Sequence, residues 1–195
     1  MPEKIHVPGI PDQEFIRGSV PMTKEEIRAL TLCKAKIQPG HIVYDIGAGT
    51  GSISAEAALM ACTGKVFAVE RDCEAIDLIN QNVRKFNLNN VVVVHGRAPQ
   101  ALANLPAADV IIIGGSGGVL GEILIACDGK LSAGGKMIVN AVTLETLCKT
   151  RDYFLTVPHY DVDYTCLSVT KVQPAGSSHL FRAHNPVYVI TASKG

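Results

Sequence analysis

The sequence carries no surplus charge of either sign: Lys plus Arg and Asp plus Glu both number 18, and the formal net charge is zero. That balance removes the global basic field by which nucleic-acid-binding chains gather their polyanions, so no nucleic-acid partner is expected. No apolar run approaches the roughly 18 residues of a membrane span, and Met1–Pro8 lacks the apolar core of a signal peptide. A soluble, cytoplasmic chain without a membrane partner is the expectation. Cysteine pairing is missing as well. Cys33, Cys62, Cys73, Cys127, Cys148 and Cys166 include no C-x-x-C pair and no His at ligand spacing, which argues against a metal site. Several of them are expected to be small buried residues in a reducing compartment. With no internal repeat, low-complexity tract or linker, the 195 residues read as one domain over 1–195, in which 1–18 form an N-terminal lead-in.

What is present is organised around Ile42-Val43-Tyr44-Asp45-Ile46-Gly47-Ala48-Gly49-Thr50-Gly51-Ser52. The first five residues suit a buried strand, the glycines permit a tight turn and close backbone approach, and Ser52–Ala57 opens a helix whose N-terminus favours polar or anionic groups. A dinucleotide fingerprint G-x-G-x-x-G would put its third glycine at Ser52; here it falls at Gly51. That argues against NAD or FAD. The pattern Asp-x-Gly-x-Gly-x-Gly resembles the first motif of Rossmann-like S-adenosylmethionine (SAM) methyltransferases, and the resemblance assigns Gly47, Ala48, Gly49, Thr50 and Gly51 to the amino-acid end of that cofactor.

Around this loop the chain alternates. Thr23 with Glu26 forms a capping box that predicts a helix start at Thr23, and Pro39-Gly40 should stop that helix before the first strand. Strands are expected at Ile42–Ile46, Val66–Val69, Val91–Val94, Val110–Ile113 and Lys136–Val139. Helices are expected at Cys73–Phe86, Pro99–Leu105, Leu120–Leu131 and from Leu144 to about Leu155. Strands apolar on both faces and separated by helices argue a parallel sheet covered on both sides. The chain then changes character: Tyr160–Val172 reads as one long strand, Gln173–Asn185 as a Gly/Ser-rich loop, and Pro186–Thr191 as a last strand. Two strands joined without a crossover helix must be antiparallel. The expected fold is therefore α/β: a Rossmann-like class I methyltransferase fold, with a mostly parallel seven-stranded sheet, a reversed last strand, and helices on both faces.

Ligands of open α/β sheets bind beyond the carboxyl ends of the strands. At those ends stand Glu70, whose carboxylate can accept hydrogen bonds from ribose hydroxyls, and Arg97, which cannot accept one from an adenine amine; the amide of Ala98 remains able to contact a ring nitrogen. Gly114-Gly115-Ser116-Gly117-Gly118 forms a second glycine loop, an open floor for a large flat substrate, with Gly115, Ser116 and Gly117 as candidate contacts. The Asn/Asp-Pro-Pro-Tyr/Phe motif of base-directed amino methyltransferases is absent there; Asn185-Pro186-Val187-Tyr188 resembles it only faintly, in the wrong place. His179, Arg182 and His184 fall in a loop expected to overhang the site, where they could hold carboxylates.

Asp12-Gln13-Glu14-Phe15, Ser19-Val20-Pro21-Met22-Thr23, Asp45–Gly51, Gly96-Arg97-Ala98-Pro99, Ile113–Gly118 and Asn185-Pro186-Val187 together resemble the decarboxylating precorrin C-15 methyltransferases of cobalamin biosynthesis, over nearly the whole chain. The resemblance implies methylation of C-15 of a cobalt-precorrin and loss of the ring C acetate carboxylate. It implies SAM as cofactor, held by Thr23, the Gly47–Gly51 loop, Glu70 and Ala98, a tetrapyrrole as substrate, and a homotetramer as assembly. Arg97 departs from the Asp that some relatives carry there. No catalytic base is named, because an electron-rich macrocycle needs positioning more than proton abstraction. Two other readings remain at this point: a SAM-dependent methyltransferase acting on RNA or a protein side chain, and a SAM-binding protein without catalysis.

Overall fold

The computed structural model describes residues 7–195; Met1–His6, part of the expected lead-in, lie outside the described residues. Runs of β-branched residues form the first five strands, β1 (Ile42–Ile46), β2 (Lys65–Glu70), β3 (Val91–His95), β4 (Ala108–Ile113) and β5 (Leu131–Ala141). The helices are α1 (Glu25–Ala35), α2 (Ser52–Met60), α3 (Cys73–Lys85), α4 (Leu120–Lys130) and α5 (Leu144–Thr156). After α5 come β6 (Tyr160–Leu167), β7 (Thr170–Ala175), β8 (Ser178–Ala183) and β9 (Val187–Lys194). A seven-stranded sheet has the order β3-β2-β1-β4-β5-β9-β6, in which β9 runs antiparallel to both neighbours and the other pairings are parallel. This is the expected class I architecture with its reversed strand.

The two-residue period of the strands divides the core. Tyr44, Ile46, Ile111, Ile113, Met137 and Val139 pack with Leu120, Leu124 and Phe154 of α4 and α5. Their neighbours Val43, Val110, Ile112 and Ile138 pack with Leu32 of α1 and Ile53 and Ala57 of α2 on the opposite face. Strand order reverses between β1 and β4, which lie side by side, so the loops leaving their carboxyl ends face each other across a crevice.

Several local expectations are corrected. The long strand Tyr160–Val172 ends at Leu167, and the Gly/Ser-rich loop Gln173–Asn185 is largely ordered: β7 and β8 form a separate two-stranded hairpin with Val172 opposite Phe181 and Lys171 opposite Arg182. Pro99–Leu105 contains one 3-10 turn, Gln100–Leu102, instead of a helix. Thr23 is not the cap of α1; Lys24 is, without a side-chain cap, and the capping-box partner Glu26 is engaged by Lys171 of the hairpin at 2.6 Å. The helix is ended by Lys36 in the left-handed region (φ 49°), ahead of Pro39-Gly40. Of the cysteines only Cys127 is buried; Cys33, Cys62, Cys73 and Cys166 are exposed and Cys148 half-buried.

Candidate active site

The two glycine loops meet. Gly47 (φ 71°) sits so close to Gly115 that a Cβ on it would stand 2.6 Å from the Gly115 oxygen and 2.7 Å from its Cα. Both loops are fixed to strand ends by backbone bonds: Gly47 N and Ala48 N donate to Val69 O (2.9 and 3.2 Å), and Gly114 N donates to Ile46 O (2.9 Å). Above them lies a cavity of about 700 Å³, whose wall includes Thr23, Gly47, Ala48, Gly49, Glu70 and Ala98. Gly115, Ser116 and Gly117 form another part of the same wall. Nine of the residues singled out from the sequence are thereby brought to one space.

Glu70 closes the first loop. Its Oε2 accepts from Gly49 N (3.0 Å), and its Oε1 accepts from Arg71 N (2.7 Å) and Asp72 N (3.1 Å). A carboxylate offers about four acceptor positions, so by count one remains, on Oε2, for a hydroxyl donor. The carboxylate thus shapes the glycine turn as well as facing the cavity.

The other wall is the N-terminal segment, which is far more than a lead-in. Ser19, Val20, Pro21, Met22 and Thr23 line the cavity, and a Cβ on Gly49 (φ 56°) would meet Pro21 O at 3.1 Å. Three helices hold this strap. From α3, Asn82 receives Ile16 N on its Oδ1 (2.8 Å) while its Nδ2 donates to Ile16 O (3.0 Å) and Thr50 O (2.9 Å), joining strap and glycine loop through one side chain. Glu74 accepts from Ser19 N and Oγ. From α1, the fully buried Arg28 donates to Thr23 O (2.6 Å), Asp12 Oδ1 (3.2 Å), Ile10 O and the buried Glu56 of α2 (2.5 Å), and its guanidinium stacks on Phe15. Glu56 also receives Gly9 N and Ile10 N. Asn82 could have been noticed in the sequence as a polar residue in the apolar stripe Ala75, Leu78, Ile79 of α3.

Other expected residues stand elsewhere. Thr50 and Gly51 lie behind the cavity wall: Thr50 is 1% exposed, and a Cβ on Gly51 would press on Ile79 of α3 at 3.1 Å, so they support the loop from behind. His179 and Arg182 are exposed on β8, and strand alternation separates them: Arg182 shares a face with Lys171, His179 with Val172 and Phe181. His184 borders a second cavity with Lys24, Ile27, Val169, Asn185 and Val187, adjoining Thr23 along the chain.

A SAM-sized ligand fits the residues present. Asp45, 1% exposed, receives Ser54 Oγ (2.5 Å) on Oδ2, while its Oδ1 and the Thr50 Oγ1 are buried without a hydrogen-bond partner among the described residues. Burial pushes the Asp45 carboxyl up to about 6, hydrogen bonds from Ser54 opposing and the nearby Glu70 adding to the rise. The fit rests on the glycine turn itself, since Asp45 and Thr50 do not line the cavity and brace the loop from behind. Among the described residues no cluster of three or more His, Cys, Asp or Glu is placed to hold a metal, and no helix is long and apolar enough to cross a membrane.

Comparison with known proteins agrees with this geometry. A family model described as the precorrin methyltransferase domain matches residues 14–194. A probable cobalt-precorrin-6B C(15)-methyltransferase (decarboxylating) of Sulfurisphaera tokodaii is 42% identical over 97% of this chain and 100% of its own. Among solved structures, a precorrin-6y C5,15-methyltransferase of Geobacter metallireducens superposes with a TM-score of 0.90 at 42% identity, covering 97% of this chain and 100% of that one. The precorrin 8w decarboxylase of Methanobacterium thermoautotrophicum superposes with a TM-score of 0.87 at 36% identity, covering 95% of this chain and 99% of that one.

Proposed function

Because the chain belongs to the precorrin methyltransferase family, we propose that it is a SAM-dependent enzyme that methylates C-15 of cobalt-precorrin-6B and removes the ring C acetate carboxylate as carbon dioxide. SAM, when bound, supplies an electrophilic methyl group. The residues that would hold it are the Gly47–Gly49 turn and the Val20–Thr23 strap at its amino-acid end, Glu70 through its remaining acceptor position at the ribose, and Ala98, 7% exposed, at the base.

The observation that carries the reading is the state of the acids in the cavity wall. Glu70, Asp72 and Glu74 all line it, and each is already spent on structure: Glu70 on three amides, Asp72 on Ala75 N at the start of α3, Glu74 on Ser19. No lining carboxylate is held ready as a general base. A site of that kind suits a substrate whose own conjugated ring is the nucleophile and, during loss of the carboxylate, the electron sink. What this chain contributes is then orientation over the Gly114–Gly118 floor and exclusion of water beneath the strap. Arg182 supplies a further cationic contact, and His184 a further hydrogen-bonding contact, for the carboxylates of the macrocycle.

The chain acts in the cytoplasm as a single domain, assembled as a homotetramer. Support for assembly comes from the hairpin: Val172, Leu180 and Phe181 are 56%, 58% and 81% exposed on a two-stranded sheet that no other strand among the described residues completes. The reaction is tested by mass spectrometry of cobalt-precorrin-6B incubated with the protein and methyl-labelled SAM. Gain of one labelled methyl with loss of carbon dioxide is expected; an unchanged macrocycle overturns the assignment.

A further inference from the structure

The cavity has a cationic edge that the cofactor does not explain. Arg71 leaves the end of β2 and Arg97 the end of β3, yet both side chains reach across to the same residue of the β4 loop. Arg97 Nη2 donates to Gly117 O at 3.0 Å, and a Cβ on Gly117 would stand 3.0 Å from Arg71 Nη1 and 3.3 Å from its Cζ. Both arginines line the cavity, both are exposed, and among the described residues neither is ion-paired with an acid. The acids nearest in the wall, Glu70, Asp72 and Glu74, are occupied by amides and by Ser19. Two permanent positive charges are thus held against one glycine, where their mutual repulsion favours an anion between them.

SAM does not supply that anion. It carries a sulfonium, an ammonium and one carboxylate, and that carboxylate belongs to the amino-acid end, at the Gly47–Gly49 turn and strap; its ribose and base are neutral. Gly117, by contrast, belongs to the floor on which the second ligand rests. Opposite the arginines the same cavity is bordered by Val142, 66% exposed, so a flat ligand meets charge on one side and hydrocarbon on the other. We propose that Arg71 and Arg97 form a clamp for a peripheral carboxylate of the substrate, setting which edge of the macrocycle lies toward the cofactor. The guanidinium fork matches a carboxylate in a way an ammonium does not.

The inference rests on the substrate's being a polycarboxylate macrocycle, and the test separates the two claims. Arg71→Gln and Arg97→Gln, singly and together, and Arg97→Lys are compared with the wild type. Macrocycle binding is read by its absorbance, SAM-site binding by calorimetry with S-adenosylhomocysteine, and turnover by mass spectrometry. Each Gln variant is expected to weaken macrocycle binding by about tenfold to a hundredfold, as loss of a charge-assisted contact does. Arg97→Lys should lose less, and S-adenosylhomocysteine affinity should stay within about twofold. Unchanged macrocycle affinity in the double variant overturns the clamp, and so does an equal loss for both ligands, which would give the arginines to the cofactor. A wild type that transfers no methyl overturns the proposed reaction; a wild type that transfers it while the Gln variants bind normally overturns the clamp alone.

Discussion

Replacing Gly47 by alanine measures how tightly the two glycine loops are fused. The new Cβ would lie 2.6 to 2.7 Å from three backbone atoms of Gly115, none able to rotate away, and the residue would keep φ near 71°. Holding a non-glycine residue in the left-handed region costs about 1–2 kcal/mol, and forcing an extra carbon into a filled space typically about 1–3 kcal/mol, together about 2–5 kcal/mol. Gly118→Ala is the control. Gly118 also has a positive φ, 91°, but nothing lies within 4 Å of its added Cβ, so only the strain remains, about 1–2 kcal/mol. The entropic gain of removing a glycine from the unfolded chain is common to both variants and cancels. Urea unfolding of the two variants should therefore differ by about 1–3 kcal/mol in favour of Gly118→Ala. Affinity for S-adenosylhomocysteine should fall in Gly47→Ala alone, because only its substitution displaces the turn proposed to hold the cofactor. Equal stability losses would show that the loops are free to part, and the account of the crevice as one rigid cradle would fail.

Two other outcomes follow from named residues. Burial raises the folded-state Asp45 carboxyl to about 6 from an ordinary 3.8, so the folded protein binds a proton that the unfolded chain releases between those values. Stability should decline as pH rises from about 4 through 6, by no more than about 3 kcal/mol. In Asp45→Asn that decline should be missing, and parallel pH profiles for wild type and variant by thermal unfolding would refute it. On the hairpin, Phe181→Glu places a charge at the most exposed large apolar residue. Light scattering should show a smaller assembly at micromolar concentration with the circular dichroism spectrum unchanged, whereas an unaltered mass would remove the hairpin from the interface.

The sheet was legible because its strands are apolar on both faces; Val110–Ile113 and Ile42–Ile46 have no other sensible place. The candidate cofactor wall was legible as a place for the same local reason, since Gly47–Gly49, Glu70 and Ala98 fall directly at strand ends and line one cavity. The hairpin was not. Every residue of β8 is exposed, so no alternation marks it, and Gly176-Ser177-Ser178 at its turn reads as loop. The capping box misled because Glu26 finds Lys171 across the fold, a partner no local rule contains. The strap's motifs were visible but its anchoring was not, for a related reason: its bonds to Glu56 and Asn82 span 47 and 66 residues, and only the folded chain makes them neighbours. Arg97 was read for what it lacks, an acceptor for adenine, when its reach toward Gly117 depends on the strand order β3-β2-β1-β4, which brings the loops after β3 and β4 to one edge of the sheet.

The position of β9 bears on how the protein is made. Val187–Lys194 is synthesised after every other strand, yet it is the partner that joins β6 to β5. A ribosome completes roughly 5–20 residues per second and early segments begin folding first, so the growing chain carries a half-finished sheet until β9 emerges. During that interval β6 has no neighbour in the sheet, and β5, the longest strand at 11 residues, presents Ile138 and Val139 along an open edge. Truncation before Val187 would take out an interior strand instead of trimming a margin. Until β9 emerges, chaperones and proteases meet that open edge.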